Sequence, residues 1–498
     1  MLSPVTTAPD KALRQSEQMP KPEDVFEDEA MTVLPLTPVP TDLGCALTDH
    51  AFLISRRDYL DSPSCPDNGI WSFLGKQGFV WGPYQPGTCF NLAAMAVSLA
   101  AYGIRENRPD VMEQGRRKYA DALMETRAEL CSPVVEPTDE LLMTCLLLSA
   151  YEVSRIVNAW FIDIDHPQDQ VCNFDSNIDT YKTFSEGSRH QEGAMALLRM
   201  RTLSPVKNDR SLLIDKYIRR QLLRSNLYRA LPLPEWLEDG SLFGEVGHEL
   251  ELDRHLIQTI NIRHDVLSLF KHIKSMSASD SHRVTSALFR SIRDCRDCDI
   301  ALQAWSTTAP PEYDYQTIKI DIPPYKPKRE NIFYSTTSHA YNDRMCAISW
   351  NRYRGARLVV NGLLHRAIVC AITIAHPDQT LGSISLPGYI DNKETILGLV
   401  DDICASVPYH FGATKATIPS YELDEDTATR IYPLACPLLL ASGALFVPGD
   451  QREWIKMILG LIGRITDSTL LMAATKLDLQ DQSCLLKYDA KPEKGPTP

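Results

Sequence analysis

The chain has 498 residues, 44% of them hydrophobic and 23% charged, the balance of a globular protein that buries a core. Its formal net charge of -13 argues against a general attraction to nucleic acid or anionic membrane, both of which favour clustered Lys and Arg. The basic runs Arg116-Arg117-Lys118 and Arg219-Arg220 are short and read as solvated helix faces.

Thirteen cysteines are scattered along the chain, and no secretory leader opens it, which fits free thiols in a reducing compartment. Two uncharged stretches, 77–104 and 431–449, are broken by Pro and Gly. They read as core helices rather than membrane spans, so a soluble protein with no membrane partner is expected.

Residues 1–41 are rich in Pro, Thr, Asp and Glu and carry the acidic run Glu27-Asp28-Glu29. They offer too little apolar surface to offset the entropy of ordering, so a disordered acidic tail is expected, with 489–498 as a second tail. An activation-type segment is the functional alternative, because Phe26, Met31, Val33 and Leu34 sit among or beside acids. The run Ala51-Phe52-Leu53-Ile54 gives mixed signals.

From Asn91 the pattern turns helical. AAMAVSLAAYGI has high helix propensity, and the break at Asn107, Arg108 and Pro109 predicts a second helix from Val111 to Leu130. Thr138 is an N-cap candidate for LLMTCLLLSAYEVSRIV, with acids favourable in its first turn. This helix is expected to form an αα-hairpin with the preceding one. A long loop is expected from Asp163 to Ser188. Helices follow from about Arg189, with Met195, Leu197, Leu198 and Met200 as the apolar side, and then over 211–229, 249–274 and 281–306.

Residues 310–327 read as a crossover with Tyr313, Tyr315 and Tyr325 on the surface, and 317–322 is the one modest strand candidate. Helices are expected to resume at about Thr336 and to run, with loops, to Thr475. No fixed-period repeat appears. The fold class expected is all-α, a large irregular stack of antiparallel helix pairs over 42–488.

Enzyme constellations fail on spacing. His248-Glu249 begins the zinc-protease pattern, but Leu252 stands where the second His belongs, and His255 comes too late. Gly75-Lys76 lacks the phosphate loop's first Gly and its following Ser or Thr. No Gly-x-Ser-x-Gly elbow occurs. A terpenoid-synthase-like magnesium site would need converging acids. Asp401-Asp402, the cluster Asp294, Asp297 and Asp299, and Asn342-Asp343 each lack part of that pattern, and the acid clusters read as solvated faces. Cys295 and Cys298 have no second pair nearby and read as free thiols. No catalytic, cofactor-binding or metal-ligating residue is assigned, and no enzyme activity is expected.

Several segments, in order, resemble the regulatory region of the fungal-specific transcription factors, which follows a two-zinc, six-cysteine DNA-binding cluster. They are LLMTCLLLSAYEV, HQEGAMALLRMR, LPLPEW, WNRYRGARLVV, DDICASVPYHFG and YPLACPLLLASGALFVPGDQREWIKMILGLIG, spanning about 140–476. The family's zinc cluster is absent from this sequence, and 1–42 contain no cysteine.

The resemblance therefore implies a helical regulatory domain and a nuclear role in transcriptional control, without licensing direct DNA contact by this chain. Its partners would be a DNA-binding transcription factor or the transcription machinery, with homo- or heterodimerisation open. Control of a biosynthetic gene cluster is an expectation of the same kind. The chain would act through a DNA-binding partner, be an inhibitory relative, or come from a gene with an upstream exon for the cluster.

Within these segments Trp350 and Arg357 are expected to anchor helix packing, with Tyr353, Val360 and Leu364 on the buried stripe. Pro408 and Gly412 are expected to end the Asp401 helix, and Trp454, Ile458, Leu461 and Ile465 to be core. A pocket between helices is the functional version. From other classes, a non-transcriptional helical scaffold and an all-α enzyme are the alternatives.

Overall fold

The computed structural model describes residues 78–79, 87–132, 135–164, 188–203, 208–229, 231–274, 281–320, 331–375, 389–413, 427–465, 471 and 475. The chain is all-α over these residues, with one two-stranded ribbon. The expected tails and the run Ala51 to Ile54 lie outside the described residues, as does most of the loop expected after Asp163.

The N-terminal body is built from α1 (Cys89–Arg105), α2 (Pro109–Leu130), α3 (Asp139–Ile164), α4 (Ser188–Thr202) and α5 (Asp209–Arg229). Thr88 caps α1 by accepting from the Asn91 amide at 3.3 Å. Thr138 caps α3 by accepting from the Leu141 amide at 3.1 Å, as its position before two acids suggests. The hairpin, however, is α1 with α2, and α3 packs chiefly on α1 rather than on α2. Small residues decide this. Ala93, Ala94, Ala96 and Ala100 present a low surface on α1, and a Cβ on Gly103 would stand 2.6 Å from the Met112 side chain. Only Gly lets the chain turn into α2 at that separation.

Helix α3 extends through Ile164, one residue past the start of the expected loop. On α4 the buried side is Ala194, Leu197 and Leu198, whereas Met200 is exposed. Met200 lies two residues from Leu198, about 160° away round the helix, and so falls outside the face that Ala194 and Leu198 share.

The C-terminal body follows two 3-10 turns, Glu235–Leu237 and Gly240–Phe243. It comprises α6 (His248–Lys274), α7 (Ser281–Thr307), strands β1 (Tyr315–Lys319) and β2 (Thr337–Tyr341), then α8 (Arg344–Ala375), α9 (Tyr389–His410), α10 (Thr427–Ile431), α11 (Ala435–Ser442) and α12 (Gly449–Ile465). The strands pair antiparallel, with Tyr315 opposite Tyr341 and Lys319 opposite Thr337.

The strand expected at 317–322 thus starts two residues earlier and ends three residues earlier, and a strand rather than a helix follows Thr336. The β-branched and aromatic residues Tyr315, Thr317, Ile318, Thr337 and Tyr341 suit a pleated surface better than a helix. Tyr313 and Tyr315 are half-buried rather than surface residues. Their rings stand 6.2 Å from Trp305 and 4.9 Å from Trp350 respectively, since aromatic area is worth more against other rings than in water.

Helix α8 is long and apolar enough to cross a membrane by length and composition, and its flanks are packed against α6, α7, α9 and α11. Three successive residues show its position at the junction of the apolar clusters. Leu358 belongs to the cluster of α9 to α12, Val360 to that of α6 and α7, and Val359 touches the N-terminal cluster as well.

The two uncharged stretches resolve, where described, into the buried α1 and α11. Helix α9 ends in a Schellman turn: Gly412 has φ 75°, its amide donates to the Tyr409 carbonyl at 3.0 Å, and the Ala413 amide donates to the Pro408 carbonyl at 2.9 Å. Pro408 itself lies inside the last turn of the helix.

On α12, Trp454, Ile458 and Leu461 are buried, and Ile465 is partly so. Trp454 is fully buried and donates its indole N–H to the Asn331 carbonyl at 2.7 Å. Trp454→Ala is expected to destabilise the chain by about 3–5 kcal/mol, read as a lowered urea midpoint at unchanged slope.

Candidate functional site

Within the apolar α8, the segment Trp350-Asn351-Arg352-Tyr353-Arg354-Gly355-Ala356-Arg357 carries three arginines. At 100° per residue they leave the helix in three directions. Each meets an aspartate on a different helix: Arg352 meets Asp253 of α6, Arg354 meets Asp402 of α9 at 3.8 Å, and Arg357 meets Asp299 of α7 at 2.7 Å.

The Arg357 contact is bidentate, with Nε donating to Oδ1 at 2.7 Å and an Nη to Oδ2 at 3.1 Å. Asn361 donates to the same carboxylate at 2.8 Å, and Asn392 of α9 donates to the Asn361 side-chain oxygen at 2.8 Å. Asp299 is therefore an interhelical anchor, not part of a solvated acid cluster.

Asp253 is fully buried and shared. Arg219 of α5, also fully buried, donates to it at 2.7 Å and to Glu245 at 3.0 Å. Arg219 further donates to the Leu237 carbonyl at 3.0 Å, and Arg220 pairs with Glu249 at 2.6 Å. Burial raises Asp253, but Arg352 and Arg219 overcome it and hold the carboxyl below its ordinary range. Burial and the neighbouring Asp253 charge push Glu245 the other way, above its ordinary range. The dipeptide Arg219-Arg220, expected on a solvated face, is thus the cationic half of an internal ion network. Desolvating these charges is tolerated only because every one has a partner.

Arg354 lies beneath the ribbon, 1% exposed, with Tyr315 at 5.1 Å and Trp350 at 5.7 Å from its guanidinium carbon. It donates to the Tyr341 hydroxyl at 2.6 Å and to the Asn351 side-chain oxygen at 3.1 Å. His339 lies on the same face, its Nδ1 3.2 Å from the Tyr341 hydroxyl and its Nε2 3.7 Å from Asp402.

Burial, reinforced by the Arg354 charge, pulls His339 down to about 3. A neutral ring there accepts from Tyr341 at Nδ1 and carries its proton on Nε2, toward Asp402. His410 is likewise pulled by burial to about 4. It donates from Nδ1 to the Arg430 carbonyl at 2.9 Å and lies 3.4 Å from the Asn351 amide at Nε2. Burial also raises Asp402, with Arg354 opposing it. Asp401 accepts from Gln451 of α12 at 2.8 Å. The acids Asp401-Asp402 therefore face α8 and α12 and do not converge with Asp294, Asp297 or Asn342.

Asp343 accepts from the Cys346 amide at 2.8 Å as the cap of α8, and Asn342 donates to the Pro311 carbonyl at 3.3 Å. His248 stacks on Trp305 with ring centroids 4.4 Å apart, and burial lowers the half-buried His255. Cys295 and Cys298 are fully buried free thiols in the α6–α7–α8 cluster, raised by burial to about 12 and about 11. Among the described residues no group of three or more His, Cys, Asp and Glu could hold a metal.

Trp350 and Arg357 anchor packing as their place in the segment suggests. Arg354, His339, Tyr341, Asp253 and Glu245 were not singled out from the sequence, and Arg219 was read only as part of a solvated basic run. The available signal was three arginines in a helix otherwise apolar enough to be buried. What this arrangement can do is fix α5, α6, α7, α8, α9 and the ribbon in one register.

Two outcomes follow. Arg219→Met leaves Asp253 with Arg352 alone and Glu245 with the more distant Arg220, and is expected to destabilise the chain by about 3–5 kcal/mol in urea unfolding. His339 and His410 titrate near their ordinary 6.5 when unfolded but near 3 and 4 when folded, so the unfolded state holds more protons between those values. Their contribution is complete above pH 6.5 and is lost as pH falls toward 4, at roughly 1.4 kcal/mol per pH unit for each ring. Gln at 410 can keep both hydrogen bonds without titrating, so His410→Gln is expected to remove one ring's share of that slope in unfolding series between pH 6.5 and 4.

No family model, no curated protein and no solved structure matches the chain.

Proposed function

We propose that this chain is a transcription regulator of fungal type, acting in the nucleus through its helical body and through protein partners rather than by direct DNA contact of its own. The observation that carries this reading is the ordered occurrence of WNRYRGARLVV, DDICASVPYHFG and the segment from Tyr432 to Gly463, resembling the fungal-specific regulatory region.

Two features support it. The all-α architecture is the class that such a region requires. The residues carrying the resemblance also interlock: Arg354 with Asp402, and Asp401 with Gln451, join the three segments through buried or half-buried contacts. These contacts give the three segments a packing role. The net charge of -13 suits contact with a basic or mixed protein partner better than contact with phosphate. Control of a biosynthetic gene cluster belongs to the same proposal.

Chromatin occupancy of the tagged chain, combined with transcript profiling on deletion, tests it. Enrichment at a defined set of promoters, lost when a DNA-binding partner is removed, is the expected outcome. Absence from promoters together with unchanged transcripts would leave a non-transcriptional helical scaffold as the reading.

A further inference from the structure

Asn226 stands on α5 at a position the helical pattern assigns to the core. Leu222 and Leu223 precede it by one turn and are buried, and Leu227 follows it. The asparagine is 5% exposed, and among the described residues nothing hydrogen-bonds its carboxamide. The carboxamide faces the cleft rather than a protein partner, so an apolar residue would serve packing at least as well here.

Asn226 lines a cavity of about 180 Å³. Its walls are Met195 of α4, Leu222 of α5, and Leu231 with Pro232 on the chain that crosses after α5. Glu192 stands at the edge and is exposed. Gln191, also on the lining, is tied to Ser149 of α3 at 3.3 Å. The space is mostly apolar and has one buried amide with both a donor and an acceptor to offer. An engineered apolar cavity of about 150 Å³ holds benzene, so this volume suits one ring.

We infer that the cleft between α4, α5 and the Leu231-Pro232 crossing is a binding site for a small neutral ring-bearing molecule, held by apolar walls and by hydrogen bonds from its hydroxyl or carbonyl group to Asn226. The carboxylate of Glu192 at the edge disfavours an anionic ligand of the same size. The inference is independent of the regulatory reading, because binding can be measured whatever the chain does in the cell.

The test titrates the full chain with phenol, benzamide, toluene and benzoate, followed by saturation-transfer NMR and calorimetry. Phenol and benzamide are expected to bind roughly five- to tenfold more tightly than toluene, the worth of one hydrogen bond, and benzoate more weakly than benzamide. Asn226→Leu is expected to bring phenol and toluene to equal affinity, and Met195→Trp to fill the cavity and abolish binding of all four.

Failure of every probe to saturate the wild-type chain would overturn the inference. So would an unchanged phenol preference in Asn226→Leu, or wild-type binding in Met195→Trp. If Asn226→Leu does not fold, the probe ranking on the wild-type chain and the Met195→Trp result decide the matter.

Discussion

Three guanidinium–carboxylate contacts radiating from one turn and a half of α8 set the arrangement of the C-terminal body. Arg352, Arg354 and Arg357 reach Asp253, Asp402 and Asp299, which belong to three different helices. Apolar packing is less selective of register than a charge pair, because hydrophobic side chains of about the right size can repack. The pairs have no such tolerance, since a shift that separates them leaves Arg354 or Asp253 as an uncompensated buried charge, even though Asp402 itself is half-exposed. The pairs therefore act mainly on uniqueness. The bulk of the stabilisation comes from the apolar clusters that α8 joins.

The same logic extends toward the N-terminal body through Arg219, which donates to one Asp253 oxygen while Arg352 takes the other. One carboxylate thus ties α5 to α8 through α6. The ribbon contributes in a different way. It brings Tyr315 and Tyr341 over Arg354, so that the cation is covered by ring faces where a carboxylate on one side only would leave it half-solvated.

The class of fold and most helices were legible in the sequence, because alternating apolar and charged residues at helical spacing persist through α2, α6, α7 and α12. The Thr138 cap and the Gly412 turn were legible from local chemistry. Partner choice was not. That α1 rather than α3 packs on α2 depends on how closely Gly103 and the alanines allow two backbones to approach, a property of the assembled pair. The ribbon was displaced because its strands are short and each is half-covered, so neither carries a full alternation. The charge network was missed for a related reason. Each of its acids lies in a sequence neighbourhood that looks solvated, and only the tertiary fold brings Asp299 to Arg357 or Asp253 to Arg219. The cavity at Asn226 left one trace, a polar residue on an apolar stripe, which reads as neutral until its surroundings are known.

The buried cysteines have a practical consequence. Cys89 and Cys145 lie in the N-terminal cluster, Cys404 in the cluster of α9 to α12, and Cys295 and Cys298 in that of α6 to α8. Burial raises all five, so a thiolate-selective reagent meets almost no nucleophile at these positions while the fold is closed, in contrast to the exposed Cys131. Each apolar cluster thereby carries its own chemical clock. The order in which these thiols become modified under mild stress records which part of the molecule opens first.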